Sequence, residues 1–309
     1  MDSGIIFRLL AYGILLLSGT VPRGQQASQN AALEPTIARL MAGKSGAVVM
    51  LDVGSGRIIA ESHLKTAAER VTALGSTLKP FVLLELLQSG KLDPQQHIVC
   101  RRRLTLAGRN MDCTHSPAIT DLDAADAIAY SCNSYFAQVA TRLTPAELAT
   151  ALERAGLASR TELVADEAMG RVATAGDVPH QQLQALGYWG VEVTPLELLA
   201  AYRTLALHRL NNDLPSSAGA PVFSGLERSV QYGMAHSEAS AGISFAGKTG
   251  TAAGASTQSH GFFAGYAPAD KPEIVLVVYL DHGRGADAAE IAAPIFAAYA
   301  KSRQTRAAQ

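Results

Sequence analysis

The chain of 309 residues carries almost no net charge, few cysteines and no internal repeat beyond one helix-capping device used twice. Each shortage removes a class of function. With 26 Lys and Arg against 27 Asp and Glu, the formal charge is -1, so nothing favours a nucleic-acid partner. The one basic run, Arg101-Arg102-Arg103, reads as a solvated loop, with a lipid headgroup or glycan phosphate as its alternative contact. Three cysteines and eight histidines occur, and no Cys/His group falls at metal-ligand spacing, so no metal and no zinc is expected. Cys100 and Cys113 flank a polar excursion that a disulfide would close in an oxidising compartment, with free thiols as the alternative; Cys132 is left over and reads as packing.

What the chain does have is apolar content. At 48% hydrophobic residues it can bury a sizeable core as one large domain or two lobes. Residues 5–21 are nearly all apolar apart from Arg8, which reads as an export signal, either cleaved or kept as an anchor over residues 1–21. A linker over 22–43 is expected next, then a globular unit over 44–301 and a tail over 302–309. An export segment places the rest of the chain outside the cytoplasmic membrane.

Gly46 to Val53 is a short β-type run, Gly54-Ser55-Gly56 a turn, and Arg57 to Ala60 a return strand, so the globular part should begin with a β-hairpin. From about residue 91 to 235 the periodicity is mainly helical. Thr144-Pro145-Ala146-Glu147 and Thr194-Pro195-Leu196-Glu197 are both helix starts with Thr as cap and Pro in the first turn. Asp121 to Ala140 is apolar at helical spacing, with the polar cluster Tyr130 to Tyr135 between its halves. After residue 245 come three strand-like runs and an apolar helix over 288–300. The strands should join the N-terminal hairpin in one sheet with the helical lobe inserted, and a cleft should lie where sheet and lobe meet.

Gly75-Ser76-Thr77-Leu78-Lys79-Pro80 opens the apolar run Phe81 to Leu87. If that run is a helix beginning here, Ser76 and Lys79 share a face of its first turn, with the helix N-terminus favouring developing negative charge. That is the layout of a serine nucleophile with a lysine base. Ser62-His63-Leu64-Lys65 repeats the spacing without an apolar run to bury its lysine. Farther on, Ser131-Cys132-Asn133 sits in the lobe and Lys248-Thr249-Gly250 on a strand.

These three motifs, in this order, resemble the penicillin-binding protein transpeptidase domain, kin of the serine β-lactamases. Longer segments around Ser76, Ser131 and Lys248, with Val193 to Leu198 and Phe263 to Pro268, extend the resemblance over roughly residues 44 to 300. It implies an α+β fold with a mostly antiparallel sheet flanked by helices and an inserted all-helical lobe. It also implies peptidoglycan stem peptides as substrate, β-lactams as covalent inhibitors, a cell-wall synthesis protein as a further partner, and no cofactor. By the same resemblance Ser76 attacks the carbonyl, Lys79 takes its proton, and Ser131 relays one to the leaving amine. Asn133 then holds the substrate amide or orients Lys79, while Lys248 and Thr249 bind the substrate carboxylate. Gly250 would let the substrate backbone lie on the strand, and the Ser76 and Thr251 N–H groups would form the oxyanion hole. His115 and His260 should be surface or hydrogen-bonding residues.

Two absences narrow the family. No Glu-x-x-Leu-Asn element of class A β-lactamases is present, and the middle triplet ends in Asn, unlike class D enzymes. Fast β-lactam hydrolysis is therefore not expected. The expected activity is that of a serine D,D-transpeptidase, with a D,D-carboxypeptidase, a class D-like β-lactamase or a non-catalytic β-lactam sensor or scaffold as alternatives. Trp189, in Gly187-Tyr188-Trp189-Gly190, stands where relatives often carry a Gly-Gln-Gly-like loop.

Overall fold

The computed structural model describes residues 33–237, 242–253 and 258–307. The expected export segment lies outside them, as do residues 22–32 of the expected linker. Among the described residues no helix is long and apolar enough to cross a membrane.

Five strands form one antiparallel sheet. They are β1 (Gly46–Asp52), β2 (Ile58–Ser62), β3 (Ala246–Ala253), β4 (Ser259–Ala267) and β5 (Ile274–Leu280), in the order β3-β4-β5-β1-β2. The register Gly46↔Leu280 through Asp52↔Ile274 joins the two ends of the chain, as the strand-like runs predicted. Both central strands are buried on both faces, which is why they read as continuous apolar runs rather than alternating ones. Their side chains still divide by parity. Val49, Leu51, Val275 and Val277 face the core shared with the lobe, and Val48, Met50, Leu276 and Val278 face a second core on the outer side.

Two expectations about the chain ends are corrected on that outer side. Residues 33–41, expected to be linker, form helix α1, and Leu33, Ile37 and Met41, one turn apart in sequence, are buried. The expected tail from residue 302 continues the long C-terminal helix, which runs over Gly285–Ala307.

Between β2 and β3 lie α2 (Leu64–Glu69), α3 (Lys79–Gln88), α4 (Ala124–Ala129), α5 (Asn133–Ala140), α6 (Pro145–Arg154), α7 (Val178–Ala185), α8 (Pro195–Asn211) and α9 (Ser216–Gln231). The C-terminal helix is α10. The helices of the insert are separated by two long stretches without α-helix, residues 89–123 and 155–177, which carry loops and short antiparallel ladders of two or three residues, such as Ile98–Val99 with Asp121–Leu122. Thr144 and Thr194 both form capping boxes with Glu147 and Glu197, so the shared start signal marks two real helix N-termini.

Candidate active site

Ser76 lies one turn earlier than a helix-face reading places it. Gly75–Leu78 is a 3-10 turn, and the α-helix begins at Lys79 with Pro80 in its first turn, where a missing N–H costs nothing. The turn is held from three sides. Thr77 Oγ1 donates to Leu74 O at 2.9 Å, the buried Tyr202 hydroxyl of α8 donates to Thr77 O at 3.0 Å, and Gly75 N–H donates to Gly187 O at 2.9 Å. Gly75 has φ +54°, and a Cβ there would strike the Thr251 backbone. The Ser76 turn therefore packs backbone to backbone against β3.

Gly250 serves that same contact. A side chain at Gly250 would collide with the Leu74 carbonyl and the Thr77 amide. The glycine makes room for the turn that carries Ser76.

Lys79 is fully buried at the start of α3. Its Nζ donates to Ser131 O at 2.7 Å and Asn133 Oδ1 at 2.7 Å, and lies 3.3 Å from Ser131 Oγ. Asn133 Nδ2 donates in turn to Met111 O at 3.0 Å, which fixes the amide orientation. Burial pulls the Lys79 pKa down to about 8 from 10.5, partly opposed by the Cys132 and Cys113 sulfurs. Once the amine has lost its proton, the same contacts remain satisfied. Its two N–H donors satisfy the two oxygens that can only accept, and its lone pair is left for a hydroxyl.

Ser131 sits at the break between α4 and α5, with φ +53° in a position that usually takes Gly. The chain turns there because Ser131 N–H and Cys132 N–H close onto Ile128 O and Ala127 O, and Cys132 then caps α5. The two Lys79 contacts to Ser131 offset a backbone strain of about 1–3 kcal/mol.

Lys248 is buried on β3 and donates to Thr249 O at 3.1 Å. Burial first, then the Lys79 charge, pushes its pKa well down. Among the described residues neither lysine makes an ion pair with an acidic side chain.

A cleft of about 570 Å³ gathers Ser76, Ser131, Asn133, Thr249 and Thr251 on its walls. Lys79 and Lys248 stand behind that wall and reach it through their hydrogen bonds. The remaining lining includes Met111, Asp112, Tyr188, Met234 and Arg284, which the motifs did not announce. The signals available for them were the Gly-Tyr-Trp-Gly loop and an arginine between glycines after the last strand. Trp189 of that loop packs on His180, with ring centroids 5.0 Å apart. A smaller hollow of about 230 Å³ between α3, α6 and α8 contains none of these side chains.

One sequence expectation fails nearby. Cys100, Cys113 and Cys132 are all free and buried, and the Cys100–Cys113 Sγ separation is 3.5 Å, so the expected disulfide is not formed. His115 and His260 are buried. His260 Nε2 faces Ala73 O at 2.7 Å and Thr72 Oγ1 at 3.1 Å, a hydrogen-bonding role as expected. The Arg101-Arg102-Arg103 run lies in a loop with Arg101 and Arg103 exposed, as expected, while Arg102 donates to the carbonyls of Cys113, His115 and Ser116.

The family described as penicillin binding protein transpeptidase domain matches residues 46–301. Among solved structures, a peptidoglycan glycosyltransferase from Burkholderia ambifaria superposes with TM-score 0.74 at 22% identity, over 92% of this chain and 96% of that one. The apo transpeptidase domain of penicillin-binding protein 3 from Burkholderia pseudomallei gives TM-score 0.75 at 21% identity, over 93% and 95%. Penicillin-binding protein PBP2 from Helicobacter pylori gives 0.76 at 18% identity, over 88% and 62%. At these identities the likeness is one of fold, the α+β transpeptidase architecture. A segment of 38 residues is 55% identical to the peptidoglycan D,D-transpeptidase MrdA of Acinetobacter baumannii, spanning 12% of this chain and 6% of that protein.

Proposed function

This chain belongs to the penicillin-binding protein transpeptidase domain family, and from that membership we propose that it is a peptidoglycan D,D-transpeptidase working through a Ser76 acyl-enzyme. The observation that carries the reading is the Lys79 amine, buried, with its pKa lowered to about 8, and hydrogen-bonded to Ser131 and Asn133 beside the cleft that Ser76 lines.

Ser76 Oγ adds to the carbonyl carbon of the terminal D-alanyl peptide bond, and its proton passes to neutral Lys79. The carbonyl oxygen becomes an oxyanion facing the Ser76 and Thr251 N–H groups. The C–N bond then breaks, and the departing D-alanine nitrogen receives a proton through Ser131 from Lys79 ammonium. An acceptor amine attacks the ester in the second half, and Ser76 recovers its proton by the reverse route. Thr249, with Lys248 behind it, and Arg284 line the cleft and would receive the substrate carboxylate, and among the described residues neither Lys79 nor Lys248 pairs with an acidic side chain. The catalytic unit is residues 44–301, it acts on the outer side of the cytoplasmic membrane, and residues 1–21 direct its export.

The test is intact mass after benzylpenicillin, for wild type and Ser76→Ala, followed by incubation with a pentapeptide stem and an amine acceptor. A stable adduct absent from Ser76→Ala, with cross-linked product, supports the reading. D-alanine release without cross-link selects the carboxypeptidase, and rapid loss of the adduct selects a β-lactamase. An adduct on wild type with no reaction on peptide selects the sensor.

A further inference from the structure

Directly behind the Ser131-Cys132-Asn133 segment, four side chains that the reaction does not use converge in the core. Cys100, Cys113, His115 and Cys132 are each at most 8% exposed, and one ligand atom from each lies within 4.8 Å of all the others. We propose that this cluster is a structural zinc site with three cysteine ligands and one histidine.

The edges of the cluster have the size of a zinc tetrahedron. With Zn–S of about 2.3 Å and Zn–N of about 2.05 Å, tetrahedral angles give S···S edges of about 3.8 Å and S···N edges of about 3.6 Å. The observed Cys100–Cys113 and Cys113–Cys132 Sγ distances are 3.5 and 3.7 Å, and Cys100 Sγ lies 3.6 Å from His115 Nε2. A disulfide needs about 2.05 Å and would leave the third sulfur and the imidazole without a role.

The surroundings are those of metal-bound thiolates. Each sulfur receives one backbone N–H: Arg102 to Cys100 at 3.4 Å, Ser134 to Cys113 at 3.3 Å and Tyr135 to Cys132 at 3.4 Å. The His115 tautomer is set by its other nitrogen. Nδ1 lies 3.2 Å from Ser116 O, which can only accept, so Nδ1 carries the hydrogen and Nε2 presents its lone pair to the sulfurs. Binding Zn²⁺ releases three thiol protons to solvent and leaves a site of charge -1. The guanidinium of Arg102, bonded to the Cys113 and His115 carbonyls, lies beside it.

Four protein ligands leave no open position, so the metal is structural and takes no part in the acyl transfer. Its effect is on position. One ligand lies between Ser131 and Asn133, and two others bound the 100–115 excursion whose Met111 and Asp112 wall the cleft and whose Met111 carbonyl holds Asn133. The zinc ties that wall to the segment contacted by Lys79.

The test uses the full-length protein purified without added metal. Elemental analysis should find about one zinc per chain, falling to about none in Cys113→Ser and His115→Ala. Should those variants fail to fold, wild type decides the matter. After chelation and reduction, Co²⁺ should restore thiolate-to-cobalt charge transfer and the intense visible bands of a tetrahedral site. A chain that carries no zinc and takes up neither Zn²⁺ nor Co²⁺ after reduction, or one with a Cys100–Cys113 disulfide as purified, overturns the proposal. A further readout, which rests on the Ser76 reading, is penicillin acylation. Chelated, still folded protein should acylate at least about tenfold more slowly and recover with Zn²⁺. Zinc bound with acylation indifferent to its removal would overturn the positioning role and leave the site.

Discussion

If Lys79 takes the Ser76 proton, the rate of acylation must follow the neutral fraction of one buried amine. Burial lowers its pKa from 10.5 to about 8. At pH 7 about one amine in ten is then neutral, where an ordinary lysine would supply about one in three thousand. The ~300-fold difference in available base corresponds to about 3 kcal/mol. The assay is the second-order rate constant for acylation by benzylpenicillin, followed by intact mass from pH 5.5 to 9.5, with drug hydrolysis measured in parallel without protein. The drug carboxylate is ionised throughout, so the profile reports the protein. The rate should climb about tenfold per pH unit below about 8 and level above it. Lys79→Arg, which keeps its charge over this range, should show no such rise. A wild-type profile flat between pH 6 and 8, or one that falls with pH, would refute Lys79 as the base.

The same burial sets a stability profile. The folded-state value lies below the unfolded one, so between pH 8 and 10.5 the unfolded chain binds more protons and wild-type stability rises with pH. Relative to Lys79→Met, wild type should gain about 3 kcal/mol across that window in urea unfolding, and a constant difference would show that Lys79 is not desolvated as described. Gly250→Ala should lower the melting temperature and suppress acylation, because its Cβ meets the Leu74 carbonyl. Gly54→Ala, whose nearest neighbour is 3.6 Å away, should do neither. Equal effects from the two would sink the packing argument for Gly250.

Much of the fold was legible because its signals are local. The Thr-x-x-Glu starts of α6 and α8 are satisfied by atoms three residues apart, so no distant partner is needed to read them. The hairpin β1–β2 and the apolar runs of β4 and β5 carry their burial in composition. The linker boundary failed because α1 spans only nine residues with Leu33, Ile37, Leu40 and Met41 at helical spacing, and the helix is fixed by the outer face of a sheet three of whose strands lie more than 200 residues away. Ser76 was placed on a helix face when it lies on a 3-10 turn, since the choice is made by Tyr202 and Gly187 from the lobe.

By itself, the sequence determined the family through a serine and lysine at one turn's spacing, a Ser-x-Asn and a Lys-Thr-Gly in that order, and so which groups are proposed to carry the chemistry. Tertiary structure decided what those groups are. Lys79 has a low pKa because the folded lobe removes water from it, and Gly250 is required because the Ser76 turn comes to rest on its strand. Three cysteines and a histidine with no ligand spacing between residues 100 and 132 become one buried cluster because a loop excursion folds onto the start of α5. Spacing rules detect ligands that a short turn brings together, and here only packing brings them together.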